Sequence, residues 1–225
     1  IRGKNGLYFA LEDTPERYIA LFLSRHLIEK YKCEIPADDI FNESYHPDYK
    51  PIIDEAFYDL FFNDEYGKFE IIPPPLFDDD IEELLSDKWD NLFEFSWVVI
   101  DYTSLISSRT SESVTSMLVE LTPKLETMSK SFKGQGFLLM LPHQLTAGSI
   151  EDLISGKNTT IIGSADSKAV MRSAQVAFTI YTDDDLRLRN KAKIFCTKAR
   201  HSGGFGNKEV YANLGVSLFL DLPDE

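Results

Sequence analysis

The stretch Trp97-Val98-Val99-Ile100-Asp101 constrains the fold more than any other. No charge interrupts the apolar run over 96–100, and a carboxylate ends it. A strand with one wet face alternates apolar and polar residues. An unbroken run belongs to a strand covered on both faces, as in a parallel sheet. Residues 136–141 (Gly-Phe-Leu-Leu-Met-Leu) repeat the pattern, and residues 6–11 (Gly-Leu-Tyr-Phe-Ala-Leu) form a third short run ending in Glu12-Asp13.

Helical segments separate these runs. Thr14-Pro15-Glu16-Arg17 has an N-cap residue, a proline for the first helical position and an acid for the first turn. Tyr18, Leu21, Phe22, Leu27 and Ile28 then form an apolar stripe at helical spacing. Residues 34–50 are polar and carry Pro36 and Pro47, so they are expected to be irregular. A helix is expected over 52–62, a short strand over 69–72 and a short acidic helix over 79–85. A longer helix is expected over 111–130, with Pro123 as a kink. Strands over 176–181, 192–197 and 210–220 complete the set, the last as hairpin or edge strands. Alternating strands and helices imply right-handed crossovers and a mostly parallel sheet. Residues 1–225 therefore read as one α/β domain, of a length that fits a single large core.

Bulk properties exclude some functions. No apolar run approaches the roughly 18 residues of a membrane span, so no membrane partner is expected. Cys33 and Cys196 lie far apart and match no zinc spacing, which suggests reduced thiols in a cytoplasmic protein. The net charge of −14 argues against a DNA-binding mode spread over the surface, because phosphate affinity needs clustered cations. A locally basic loop facing a channel stays open. The acidic runs Asp78-Asp79-Asp80, Glu82-Glu83 and Asp183-Asp184-Asp185 read as solvated loop and helix-start charge.

In sheets of this kind the chemistry gathers at the carboxyl ends of the strands. Glu12, Asp101, Gln144 and the pair Lys198 and Arg200 occupy those ends. Polar residues commonly end strands without any function, so the argument rests on their order along the chain.

Trp97-Val98-Val99-Ile100-Asp101-Tyr102, running on to Leu105-Ile106, resembles the Walker B segment of DnaB-type replicative helicases, ring-forming members of the RecA-like ATPases. The resemblance implies a three-layer RecA-like P-loop NTPase core with a mainly parallel central sheet. It implies ATP and Mg²⁺ as cofactors, with Asp101 holding the metal indirectly. Leu7 to Glu12 resembles the family strand that ends in Ser-Leu-Glu, where the Glu polarises the attacking water; Ala10 replaces the Ser. Leu138-Leu139-Met140-Leu141-Pro142-His143-Gln144-Leu145 is similar to the strand ending in Ser-Gln-Leu, whose tip senses the γ-phosphate. Gln144 fits the Gln. His143 either stands in for the Ser or is a plain capping or surface histidine.

Gly163-Ser164-Ala165-Asp166-Ser167-Lys168 aligns loosely with the DNA-contacting loop, which makes Lys168 and Arg172 the DNA-binding candidates. Arg172 has the alternative of simply facing solvent. Ile194 to Gly203 resembles the strand ending in Lys-x-Arg-Asn-Gly. There the two cations reach the nucleotide of the neighbouring subunit, which gives Lys198 and Arg200 catalytic roles and Arg200 a nucleotide-binding one.

The resemblance spans residues 6 to about 206 and implies an ATP-dependent DNA helicase. Its partners would be single-stranded DNA, further copies in a ring expected to be a hexamer, and a primase or helicase loader. A RecA- or KaiC-like ATPase with other partners fits the same strand-end residues.

One signature is missing. G-x-x-x-x-G-K-[ST] supplies the backbone cradle and lysine for the phosphates. Gly3-Lys4 is followed by Asn5, Gly67-Lys68 by Phe69 and Gly156-Lys157 by Asn158, and none has the preceding glycine. The family carries that strand and helix just before the strand ending at Glu12. The expectation is thus a domain whose Walker A strand and helix lie outside the given sequence, and a fragment with little ATPase activity of its own. The alternative is a degenerate, non-hydrolysing structural or regulatory module.

Overall fold

The computed structural model describes residues 3–144, 165–200 and 206–222. They fall into two compact units: residues 1–15 with 64–174, and residues 16–63 with 175–225.

The apolar runs of the first unit become β1 (Gly6–Ala10), β2 (Phe69–Ile72), β3 (Trp97–Asp101) and β4 (Leu138–Met140). They form one sheet in the order β2-β1-β3-β4, parallel throughout. Register pairs Leu7 with Val98 and Phe9 with Ile100, so these side chains share one face. That face packs against α4 (Ile81–Asn91), α5 (Val114–Ser131) and α6 (Ala165–Ser173) through Ile81, Leu85, Met117, Leu118, Leu121, Leu125, Ala169 and Val170. Phe95, Phe132, Phe137 and Trp89 fill the end of this core, with ring centroids 4.9 to 5.8 Å apart. Ser113 caps α5 by accepting from the Ser116 amide at 3.1 Å.

The second unit holds α1 (Pro15–His26), which begins at the expected proline and runs into a π-helical turn, Leu27–Tyr31. It also holds α2 (Ala37–Phe41) and α3 (Lys50–Phe62). Leu23, Leu27, Ile35, Ile53 and Ala56 form its helical core. β5 (Val176–Tyr181), α7 (Asp184–Leu188), β6 (Lys191–Ala199), β7 (Asn207–Asn213) and β8 (Leu218–Asp221) follow. The four strands pair antiparallel in chain order.

Several expectations are corrected. The stretch 34–50 is not irregular throughout: it contains α2 and a 3₁₀ turn, Pro47–Tyr49, that uses one of its prolines as a helix-start residue. The acidic helix starts at Ile81 and extends to Asn91. α5 runs unbroken through Pro123. The last strands are a hairpin, as expected, and they belong to an antiparallel sheet of their own unit. Asp79 and Asp80 are not simply solvated: Arg109 pairs with both.

Candidate functional site at the tips of the parallel strands

The chain leaves β1 for β2 on one side, whereas β3 is followed by β4 on the other. The strand order thus reverses between β1 and β3. Ligands of open α/β sheets bind in the crevice beyond the carboxyl ends at such a reversal. Asp101 ends β3, and Glu12 lies two residues past β1.

Three contacts tie these tips together. The Gln144 side-chain amide donates to Glu12 Oε1 at 3.0 Å, across 132 residues of sequence. The Tyr8 hydroxyl donates to Asp101 Oδ2 at 2.5 Å, in the short range of hydrogen bonds to an ionised acceptor. The Leu11 amide donates to the Asp101 carbonyl at 2.8 Å, which holds the chain just before Glu12 against the end of β3. A fourth group sits beside them. His143 Nδ1 lies 3.5 Å from Thr103 Oγ1 and 3.4 Å from Ser104 Oγ, in the 3₁₀ turn after Asp101. Thr103 is fully buried, so its hydroxyl needs a partner inside the protein.

The sequence-derived residues Glu12, Asp101 and Gln144 therefore converge. Glu12 and Gln144 are exposed and Asp101 is half-buried. Lys168 and Arg172 are exposed on α6, four residues apart, and so lie on one side of that helix. Lys198, half-buried, lies near the end of β6 opposite Ala177; Arg200 follows it, exposed, and its amide donates to the Gln175 carbonyl at 2.9 Å. Gly163 and Ser164 of the aligned loop, Leu145 beyond Gln144, and His201, Ser202 and Gly203 of the cation-bearing motif lie outside the described residues.

Sequence reasoning did not single out Tyr8. Its signal was there: a hydroxyl in an otherwise apolar strand, two residues before Ala10 and hence on the same face as the strand tip. Thr103 and Ser104 entered only as part of a motif.

The donor set can hold a hydrated cation. Among the described residues no three His, Cys, Asp or Glu side chains gather into a metal-binding group. A single anchored carboxylate such as Asp101 fits a divalent ion that brings its own phosphate and water ligands, as Mg²⁺ does. The phosphate cradle itself has no counterpart in the motifs of the 225 residues.

Two solved structures share this architecture. One, a helicase ATPase domain solved by itself, superposes with a TM-score of 0.70 at 14% identity, over 97% of this chain and 75% of that one. The chain has the RecA-like fold of a DnaB-type helicase ATPase domain. The other, a DnaB-like replicative helicase described with its interactions with primase, gives 0.69 at 13% identity, over 97% of this chain and 50% of that one. The chain thus spans three quarters of the one and half of the other. No family model matches the sequence, and no curated protein matches it. The helicase-type fold places Glu12, Asp101 and Gln144 at strand tips, where such a fold does its chemistry. Among the described residues no helix is long and apolar enough to cross a membrane.

Proposed function

We propose that residues 1–225 make up most of a single RecA-like motor domain of an ATP-driven, ring-forming DNA helicase. The observation that carries this reading is the contact between Gln144 and Glu12 beside Asp101, at the reversal of strand order. Glu12 is the base that orients a water and accepts its proton. Gln144, bonded to Glu12, is placed to report on the group that the water attacks. Asp101, steadied by Tyr8, would hold Mg²⁺ through water. ATP with Mg²⁺ would supply the phosphoryl group and neutralise its charge. Lys198 and Arg200 act on the nucleotide of a neighbouring copy. Arg200 presents a planar fork to phosphate oxygens and Lys198 a compact second charge. Lys168 and Arg172 face single-stranded DNA. Copies join head to tail into a closed ring, a hexamer in this reading. A primase or loader is the expected protein partner, given the primase named with one similar structure.

A second reading has one observation in its favour: none of the Gly-Lys pairs continues as G-K-[ST]. In that reading the chain is a non-hydrolysing module of a ring. The test is ATP hydrolysis by the full-length natural chain, with and without single-stranded DNA, beside Glu12→Gln. DNA-stimulated turnover that falls by at least about 10²-fold in the variant supports the motor. A folded oligomer with no turnover rejects it in favour of the module.

A further inference from the structure

Register sets Ala10 directly opposite Asp101. Ala10 is fully buried and carries no donor. A strand-end carboxylate that is half-buried needs hydrogen bonds to stay ionised and aimed. The nearest same-face position on β1 is two residues back, at Tyr8, which pairs with Val99. A side chain at that diagonal must be long to reach the next rung, and a tyrosine is long enough. Its hydroxyl meets Asp101 Oδ2 at 2.5 Å. Phe9, its neighbour in sequence, points to the opposite, core face and could not do this.

We propose that Tyr8 is a positioning residue for Asp101, supplying across one diagonal the hydroxyl that Ala10 cannot supply from the position opposite. A bond to one carboxylate oxygen fixes the plane of the group and hence the direction of the other oxygen. Groups that orient a metal-facing carboxylate typically change metal affinity by about 10- to 100-fold when removed. Tyr8 therefore governs magnesium dependence more than nucleotide binding itself. The magnesium part of this inference rests on the nucleotide reading of the strand tips; the Tyr8–Asp101 coupling does not.

The test uses the full-length natural chain as wild type, Tyr8→Phe, Ala10→Ser and the double variant. The readout is binding of a fluorescent ATP analogue as a function of Mg²⁺. Tyr8→Phe should raise the half-saturating Mg²⁺ concentration about tenfold and leave magnesium-free binding unchanged, a split that general destabilisation does not produce. Ala10→Ser in the Tyr8→Phe background should recover most of the loss, because it puts a hydroxyl beside Asp101 from the opposite position. An unchanged magnesium dependence in Tyr8→Phe overturns the proposal, as does equal loss of magnesium-free binding. A wild type that binds no nucleotide at any Mg²⁺ concentration rejects the nucleotide reading alone. The Tyr8 hydroxyl proton then decides the coupling, as a downfield resonance lost in Tyr8→Phe and moved in Asp101→Asn. A wild-type spectrum without that resonance overturns the proposal.

Discussion

Arg109 grips Asp80 with both terminal guanidinium nitrogens, each 2.7 Å from a carboxylate oxygen. One of them also bonds Asp79 at 2.6 Å, and the guanidinium lies 4.0 Å from the centre of the Phe77 ring. Hydrogen bonding to Asp80 and then Asp79 pushes the arginine pKa up, and the same bond holds Asp80 below the usual carboxylate range. Backbone bonds reinforce the link: Asp78 N to Ser107 O at 3.0 Å and Ser107 N to Leu76 O at 2.9 Å. The loop that follows Asp101 is thereby stapled to the turn that precedes α4.

Arg109→Ala should lower the melting temperature of the chain, and the loss should shrink at high salt, since all three charges are about half exposed. Arg109→Lys should behave more like the alanine variant than like wild type, because lysine has neither the two-pronged grip nor the flat stacking face. Thermal melts of the three proteins at low and high salt check this. Equal stability of Arg109→Lys and wild type would show that charge alone sets the staple.

Residues 97–101 show how far the sequence could be read. An unbroken apolar run ending in an acid has few places to go, and it became the central pair partner of β1. Glu12 and Gln144 were legible for the same reason: each follows a buried strand, and strand ends in parallel sheets meet. The staple was not legible. Asp80 and Arg109 are 29 residues apart, and nothing in a triple-aspartate run says which arginine will meet it. The Tyr8 contact spans 93 residues, and its visibility depends on register, which one sequence does not display. Pro123 misled for a local reason: a proline lowers helix propensity, but Leu118, Leu121 and Leu125 bury one face of α5 and outweigh it.

Asp59 predicts an acid-sensitive joint in the second unit. Burial would raise its pKa, but hydrogen bonds from Lys30, Asn63 and His26 outweigh that and bring it down to about 2. Lys30 approaches at 2.6 Å and the buried His26 at 2.7 Å, which links α3 to α1 and the π turn. The folded pKa lies below the unfolded value of about 3.9. The stabilisation is therefore complete above about pH 4 and is lost as pH falls through about 2. Asp59→Asn should cost about 1–3 kcal/mol near neutral pH, with His26 left poorly paired. Urea unfolding of both proteins across this range should show their difference closing below about pH 4. A difference that stays constant to the lowest pH would contradict the assignment.

Gly6 predicts a steric lesion at the base of the site. A Cβ there would lie 1.9 Å from Trp97 Cε2 and 2.0 Å from Cδ2, because the indole covers the glycine across the β1–β3 pair. The clash is with the middle of the ring, so the whole side chain must move. That movement breaks the bond from Trp97 Nε1 to the Lys4 carbonyl, 2.9 Å long. Gly6→Ala should cost about 1–3 kcal/mol, the usual range for overpacking. It should also shift tryptophan emission as the ring leaves its place. Unchanged emission and stability would mean the ring does not lie over Gly6.

Arg200 predicts behaviour that depends on its neighbours. If the Thr197-Lys198 end of β6 presents the two cations to another copy's nucleotide, Arg200→Ala should lose about 10³–10⁵ of its turnover. It should keep its own nucleotide binding, since the missing fork serves the next subunit. Lys198→Ala should lose less, because a point charge recognises phosphate oxygens without the two-pronged geometry. Mixing the variant into wild-type rings separates this from a defect within one copy. An arginine acting within its own subunit lowers activity in proportion to the fraction of variant. An arginine acting across a ring lowers it more steeply, because one silent subunit interrupts its neighbours. A straight line in that titration would remove Arg200 from the trans role and leave it as an exposed charge after a strand.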